Sequence, residues 1–488
     1  MITGTVLDVM AFNIWHGGNL DKLHAHGFAE QNKSELLDFL AHERPDLIFL
    51  VETYGLGERI EKALNRDTGD GRVFTGVPIT REAGQAADRD NLWLFTWLPV
   101  EEVYPVISQP PVTSFNFGGA RLVLPGGGHL HAFTTWISHL ANSWGPLNQT
   151  ALEAAMGLER TYTDADLAAS DDERRREMAR IILEDRLPRY VRDDAPVLLG
   201  GDFNTQTSLD WTEAHAGAPR HEGLVLRWPV MEMFAEAGFA DTYRTAHPDA
   251  ARYPGRTWTA GHSFMYAPMR LDYLLARGDV DVLASWTRTR RLPGHRGGDL
   301  DELYPFYSDH GAVVSRLRFG GDRQGYEPSR EPLVEPPAPE MEAIPAPPAG
   351  TPVPVTEMSA EASSAAREHS AALAVDGDPR TYWHSGAGPE TPEPHPHHLT
   401  LDLGRERTIA AVRYRPPMST YEGIVTRYQY LVSTDGTTFE PVASGSWARD
   451  SLPKDVTVAG GVRARYLRLS AHAGVAGFTA VAELTTYE

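Results

Sequence analysis

The sequence predicts a chain of α/β type followed by an all-β sandwich or jelly roll. Three observations carry this. Over residues 5–319, short apolar and β-branched runs alternate with stretches of helical spacing. Residues 326–358 hold ten Pro and six Glu with a single Arg, a composition that cannot build a core and reads as an extended, semi-rigid spacer. Beyond residue 359, short strands recur between turn residues with no helical pattern among them. The predicted boundaries are therefore 1–325, 326–358 and 359–488.

Taken in order, residues 5–14 form a near-continuously apolar strand that leads into Asn13-Ile14-Trp15-His16. Residues 32–40 have helical spacing, and Pro45 stops that helix. Residues 46–51 are a second buried strand with Glu52 directly at its end. A carboxylate there is costly unless exposed or paired, so Glu52 is either a solvated strand-end acid or a metal ligand. Residues 91–97, 121–124 and 129–137 read as strands, the last running into Ser138-His139-Leu140, where the histidine is structural or catalytic. Residues 141–170 show little regularity and are expected to form a substrate-facing lid, because long loops in compact domains are usually functional or disordered. Asp171-Asp172-Glu173 opens a helix with acids at its positive end, striped by Met178, Ile181, Ile182 and Leu183. Residues 206–228 are again irregular, and 231–237 form a short helix closed by Gly238. Thr257-Trp258-Thr259 and residues 270–275 are strand-like, before Tyr307-Ser308-Asp309-His310 and a strand over 312–317. In the last part, strands are expected at 399–403, 409–415, 427–433, 464–470 and 481–487.

Length and composition bound the class. A chain of 488 residues can fill two cores, and 41% hydrophobic with 23% charged residues is the balance of a soluble globular protein. With no cysteine, disulfide frameworks and thiolate metal sites are excluded. No apolar run of 18 residues occurs, and the first residues lack the basic start and apolar core of a signal peptide. The formal net charge of -21 disfavours broad nucleic-acid affinity, which rests on Lys and Arg neutralising phosphates.

The stretch Val197-Leu198-Leu199-Gly200-Gly201-Asp202-Phe203-Asn204 organises the first part. A buried strand stops, glycines allow a tight exit, and alternation carries Asp202 and Asn204 to one side. Asp202 can orient or deprotonate a water, and Asn204 can donate to a developing oxyanion. A plain structural turn would look the same, so partners elsewhere in the chain decide between the two.

Those partners are present in a consistent order. Asn13, Glu52, Ser138-His139-Leu140, Gly201-Asp202-Phe203-Asn204, Arg270-Leu271-Asp272-Tyr273 and Ser308-Asp309-His310 resemble the endonuclease/exonuclease/phosphatase superfamily of metal-dependent phosphoesterases, over residues 5–319. The resemblance implies a four-layered α/β sandwich, two mixed β-sheets flanked by helices, with the site at one end of the strands. It implies that Glu52 binds a divalent ion, Mg2+ or Mn2+, with Asn13 and Asp309 close by. Asp202 would align the attacking water, Asn204 and His139 would stabilise phosphorane-like oxygens, and Asp272 would orient His310, which bonds the phosphate as imidazolium. Where many family members carry a Ser-Arg pair, this chain has Asn91-Leu92-Trp93-Leu94-Phe95-Thr96-Trp97. Residues 141–170 and 206–228 match no pattern of the family, so the substrate stays open.

The last part resembles the coagulation-factor-5/8 type C (discoidin-like) fold, also met as carbohydrate-binding modules. The matching residues are Ala372-Leu373-Ala374-Val375-Asp376-Gly377-Asp378, Thr381-Tyr382-Trp383, Leu401-Asp402-Leu403-Gly404, Ser433-Thr434-Asp435-Gly436 and Ala464-Arg465-Tyr466-Leu467-Arg468, with a terminal Glu483. This resemblance implies a structural Ca2+ near Asp378, Thr381 and Glu483. Trp383 reads as a core residue, whereas His395, His397, His398, Tyr421 and Trp447 are candidate ligand contacts. The cluster His395-Pro396-His397-His398 either binds metal or is a solvated loop.

Together these expectations describe a secreted or cell-surface bacterial phosphoesterase, its leader absent from this chain. It would hydrolyse a phosphate mono- or diester of a glycan, inositol-type compound or lipid head group, held at an extended target by a module that binds glycan or a cell-surface ligand. An extracellular nuclease is the alternative, and Arg270, Arg288, Arg290 and Arg291 could supply the basic groove it needs. A sphingomyelinase-like phospholipase C is a third reading, although no apolar hairpin is evident. A non-catalytic adhesin built on the same scaffold is the reading from a different class.

Overall fold

The computed structural model describes residues 4–19, 28–79, 81–140, 144–171, 173–258, 265–295, 306–320, 326–338, 343–386 and 393–488. In the first part the strands are β1 (Thr5–Asn13), β2 (Leu47–Val51), β3 (Thr75–Val77), β4 (Trp93–Thr96), β5 (Val100–Val103), β6 (Phe117–Val123), β7 (His129–Trp136), β8 (Val197–Asp202), β9 (Ala240–Asp241), β10 (Asp272–Arg277), β11 (Val280–Arg288) and β12 (Ala312–Phe319). They form two six-stranded sheets, in the orders β11-β12-β1-β2-β4-β3 and β5-β6-β7-β8-β10-β9. Each sheet is mixed, with one parallel pair at its centre, β1 with β2 and β7 with β8.

Three apolar layers explain the stacking. Alternate residues of the central strands, among them Val9, Ala11, Phe49, Val51, Ala132 and Leu198, meet in the core between the sheets. Their opposite faces are covered outside. Helices α1 (Ala29–Glu43) and α2 (Gly57–Leu64) pack Leu36, Leu40 and Ile60 against Phe12 and Leu50. On the far side, the helix Glu173–Ile181 and the helix Pro229–Glu236 pack Met178 and Phe234 against Phe133, Leu199 and Tyr273. Buried on both faces, the central strands read as apolar runs rather than as alternation. This is the four-layered sandwich that the sequence implied.

The register places chemistry at one edge. Asn13 pairs with Val51 at the end of one parallel pair, and Trp136 pairs with Asp202 at the end of the other. Asp272 begins β10 directly opposite Asp202. The sheets approach closely here: a Cβ on Gly200 would lie 2.5 Å from Phe49 Cδ2.

Residues 141–170 differ from the expected loop. Residues 141–143 lie outside the described residues, as do Asp172 and Thr259, but the rest holds the helices Trp144–Ala155 and Asp164–Ala169. The first of these buries Leu147, Ala151 and Leu152 together with Asn148, Gln149 and Glu153. The buried polar groups are satisfied, for example Gln149 Nε2 donating to Glu153 Oε1 at 2.9 Å. A helix buried around much of its circumference shows no single apolar stripe, which is why periodicity did not reveal it.

The proline-rich stretch also departs from a free spacer. Glu335 is buried, accepting from Thr287 N at 2.6 Å and from the Tyr243 hydroxyl at 3.1 Å. Farther on, Arg413 Nη2 donates to Pro345 O at 3.1 Å and Val353 N donates to Thr486 O at 2.8 Å. The stretch is extended, yet it is fastened to both parts of the chain.

The last part is an antiparallel sandwich. Its main sheet orders Ser359–Ala362, His397–Arg415, Lys454–Gly474, Val425–Ser433 and Glu440–Ser446, and Glu483–Tyr487 also pairs with His397–Arg415. Trp383 is fully buried. Trp447 is half-buried and stacks on Tyr428 and Tyr414, with centroids 3.9 and 5.1 Å away. Two of the clustered histidines are held in hydrogen bonds rather than lying in a solvated loop. His397 Nδ1 accepts from the Thr479 hydroxyl and its Nε2 donates to Glu393 O, while His395 Nδ1 donates to Ala471 O. Burial, helped by His397, pushes the His395 imidazole down to about 4.

Because Gly200 permits the close approach of the sheets, Gly200→Ala is expected to cost about 1–3 kcal/mol of stability through overpacking against Phe49. Urea unfolding checks this. An unchanged midpoint would mean that the sheets yield at the site's edge.

Candidate active site

The edge where both parallel pairs end gathers the predicted residues into one network. Asn13 closes β1, and its Nδ2 donates to Glu52 Oε1 and to Asp202 Oδ2, each at 3.1 Å. Its Oδ1 accepts from Trp15 N at 2.9 Å. The amide therefore ties the two sheets together across the site, and it would have to turn over to offer an oxygen to a metal. Glu52 stands just beyond β2 with φ +61°, a left-handed conformation that costs energy for a residue with a side chain. That twist is held by Glu52 N donating to Asn91 Oδ1 at 2.9 Å and by His16 N donating to Glu52 Oε2 at 3.1 Å.

Asp202 ends β8. It accepts from Asn204 N at 2.8 Å and from Asn204 Nδ2 at 3.0 Å, with Asn204 also left-handed at φ +51°. The two residues do share one side, but here Asn204 grips Asp202 and Ile137 O. Beside them His310 Nδ1 donates to Asp272 Oδ2 at 2.8 Å, which leaves Nε2 facing the site, 4.0 Å from both Asp202 Oδ2 and Asp309 Oδ1. Asp309 Oδ2 accepts from Trp258 Nε1 at 3.1 Å. Ser308 links the parts, its hydroxyl donating to Asn13 O at 2.8 Å and accepting from His310 N at 3.1 Å.

The electrostatics follow from burial. Four carboxyl groups, Glu52, Asp202, Asp272 and Asp309, surround one imidazole, all of them buried or nearly so. Burial pushes the Glu52 and Asp309 carboxyls up, Asp309 adding to the effect on Glu52. The Asp202 carboxyl rises to about 7 from the same cause. Burial alone would lower His310, but Asp272, Asp309 and Asp202 outweigh it and hold the imidazole well above its ordinary value. One imidazolium does not balance this set, and no Lys or Arg lines the cavity among the described residues. The donor set is rich in carboxylate oxygen, and Asp272 Oδ1 is buried with no hydrogen-bond partner. Asp202, Asp272 and His310 also offer ligand atoms within 4.8 Å of one another and could hold a metal ion. The residues thus fit a hard divalent cation.

His139 lies at the mouth of the same cavity, its ring 5.1 Å from Trp136. Partial burial, then Arg175 and Arg174, holds its imidazole below the usual value. The cavity of about 410 Å³ is otherwise largely aromatic, with Trp15, Tyr54, Phe115, Trp258 and Tyr421 among its lining. Trp258, Ser308, Asn91 and Tyr421 were not foreseen as part of the site. Ser308 sits beside a predicted pair, but the others touch it only through tertiary contact, which no local pattern reports.

The suggested calcium residues are partly brought together. Glu483 accepts from Gly377 N at 2.8 Å and meets Asp376, so burial followed by Asp376 pushes its carboxyl up to about 8. Thr381 donates to Asp376 Oδ2 at 2.8 Å. The Asp378 carboxylate instead accepts from Arg380, at 2.7 and 2.8 Å.

The Endonuclease/Exonuclease/phosphatase family model matches residues 10–310. The chain belongs to this family. An endonuclease/exonuclease/phosphatase domain makes it a hydrolase of phosphoesterase or nuclease type. The F5/8 type C domain model matches residues 359–484. An uncharacterised protein of Caenorhabditis elegans is 25% identical over 333 residues, covering 65% of this chain and 93% of its own length. An A type blood N-acetyl-alpha-D-galactosamine deacetylase of Flavonifractor plautii is 35% identical over 140 residues, 28% of this chain and only 18% of that enzyme. Among solved structures, the family 32 carbohydrate-binding module from C. perfringens NanJ in complex with galactose is 32% identical, over 28% of this chain and 98% of that one, with a TM-score of 0.27. No helix among the described residues is long and apolar enough to cross a membrane.

Trp258→Phe keeps the ring but removes the donor to Asp309. It is expected to weaken Mn2+ binding about tenfold, as loss of groups that orient metal ligands does, with the melting temperature little changed. Titration calorimetry measures this; equal affinity would show that Asp309 does not hold the ion.

Proposed function

We propose that this endonuclease/exonuclease/phosphatase protein is a metal-dependent phosphoesterase, using Mg2+ or Mn2+ to cleave a phosphate mono- or diester of a glycan, inositol-type compound or lipid head group. The observation that carries the reading is the pairing of a Glu52–Asp309 carboxylate site with His310, whose Nε2 is aimed across it by Asp272.

When bound by Glu52 and Asp309 near Asn13, a divalent cation would supply positive charge to a phosphoryl oxygen and the leaving oxygen. Asp202, gripped by Asn13 and Asn204, aligns a water and accepts its proton, a task suited to a carboxyl raised toward neutrality. His310, kept as imidazolium by Asp272, donates from Nε2 to the phosphoryl oxygen that gains charge. His139 faces the same cavity and donates to another equatorial oxygen, whereas Asn204, whose amide hydrogens go to Asp202 and Ile137 O, holds Asp202 rather than the phosphate. Direct attack by water needs no covalent intermediate on the protein.

The arginines a nuclease groove would draw on argue against that alternative. Arg270 is buried between Asp210 and Asp241, while Arg288 pairs with Glu43 and Arg291 with Glu35. Arg290 alone of the four is exposed. Such pairing withholds these three from a nucleic-acid groove. The F5/8 type C match, and likeness to part of an A type blood N-acetyl-alpha-D-galactosamine deacetylase, support a glycan as the ligand of the last part and a secreted or cell-surface setting.

The deciding experiment is Mg2+-dependent turnover on a phosphomonoester, a diester, sphingomyelin, a phosphorylated polysaccharide and DNA. Asp202→Ala and His310→Ala are each expected to lose at least about a hundredfold in kcat. DNA cut fastest, with steep salt dependence, would establish the nuclease instead. No turnover, with both variants matching the parent, would leave a binding scaffold.

The reading extends to a structural Ca2+ held by Glu483, Thr381 and the loop of Asp378, with Asp376 as a further donor. Millimolar Ca2+ is then expected to raise the melting temperature by about 5 °C, and Glu483→Gln to abolish the rise. Equal shifts in both proteins would reject the site.

A further inference from the structure

The second sandwich reaches into the catalytic cavity. Tyr421 lies in the loop between His397–Arg415 and Val425–Ser433, and it lines the same cavity as Glu52, Asp309 and His310. Its ring centroid is 5.3 Å from Trp144 and 5.7 Å from Trp258, which are themselves 5.6 Å apart. Trp258 is the residue that donates to Asp309. Burial, then the charge of Asp309, pushes the Tyr421 hydroxyl up, so the side chain stays neutral.

The contact is built rather than incidental. Asn148 Nδ2 donates to Met418 O at 2.7 Å, and Asn148 Oδ1 accepts from the backbone of Tyr266 and Ala267. Met418, Ile424, Leu452 and Val475 of the second sandwich share one apolar cluster with Leu147, Leu152 and Met269 of the first. Helix Trp144–Ala155 is thus a bracket between the two, with Trp144 as its tip in the cavity.

We propose that the second sandwich completes the catalytic cavity and that Tyr421, with Trp144 and Trp258, positions the organic group of the ester, an uncharged sugar ring stacked beside the phosphate. This rests on the phosphoesterase reading and names its substrate class. The wall offers ring faces and holds no Lys or Arg among the described residues; Lys33, Arg59 and Arg89 line the adjoining cavity, which shares His16, Tyr54 and Phe115 with it. A sugar's C–H face suits such a wall, and the His139 imidazole in the same lining can meet its hydroxyls.

The test uses the full chain with Mg2+ and three ligands that cannot be hydrolysed: methylphosphonate, the methylene phosphonate analogue of glucose 1-phosphate, and the phosphonate analogue of phosphocholine. Calorimetry is expected to show the glucose analogue binding at least about tenfold more tightly than methylphosphonate. Tyr421→Ala should reduce that advantage to under about threefold and leave methylphosphonate affinity unchanged, and Tyr421→Phe should keep it. Tyr421→Leu, which retains apolar packing against Trp144, should behave as Tyr421→Ala with the parent's melting temperature. Equal weakening of both ligands, no change in either, or tightest binding by the choline analogue would overturn the proposal. Methylphosphonate binding without a sugar advantage would overturn this proposal alone, whereas failure of all three ligands to bind would remove the phosphoesterase reading as well.

Discussion

Burying four carboxyl groups around one imidazole is the constraint on which the first sandwich depends. Isolated buried charge costs several kcal/mol per group in a real protein, so each acid has been given donors. Asn13 serves two of them from opposite sheets, Asn204 serves Asp202 twice, and His310 serves Asp272. Those donors can stand where they do only because the strands end together at one edge. The left-handed backbone at Glu52 and Asn204 is a further cost accepted there, since it turns both side chains back over the strand ends. What remains unbalanced is negative charge, and that imbalance suits the edge to a cation.

The sequence made this edge legible to an unequal degree. Asn13, Glu52, Asp202, Asp272 and His310 stand at ends of strands that apolar runs announce, so their position at a common edge follows from the α/β arrangement. The four layers could be anticipated as well, because strands buried on both faces show unbroken apolar runs. The helix Trp144–Ala155 could not, since its buried face carries Asn148, Gln149 and Glu153, polar residues satisfied by Met418 O, by one another and by Thr161. Trp258 was visible only as part of a short aromatic stretch, and nothing local indicates that its Nε1 meets Asp309 across 51 residues.

Arginine misled for a related reason. Arg270, Arg288 and Arg291 cluster in the chain near the predicted site and suggested a basic surface. In the fold Arg270 lies beneath the site, fully enclosed, with its guanidinium shared between Asp210 and Asp241. Breaking such a pair leaves an uncompensated buried charge, so its role is to hold residues 206–210 and the start of β10 in register. Charge in sequence reports supply, and only pairing in space reports whether it is available to a ligand.

The relation between the two sandwiches changes the most between sequence and structure. A proline-rich spacer suggests a module on a tether, acting by raising local concentration. Here the stretch is pinned at Glu335, Pro345 and Val353, and the apolar cluster around Met418 and Leu147 joins the two parts. A docked module cannot search independently of the catalytic edge, so anything it binds is presented at a fixed orientation to that edge. The loop of Tyr421 is therefore under two demands at once, packing against Trp144 and facing the cavity. Specificity in this chain is then expected to reside at the seam between the sandwiches, where the least recognisable segments of the sequence converge.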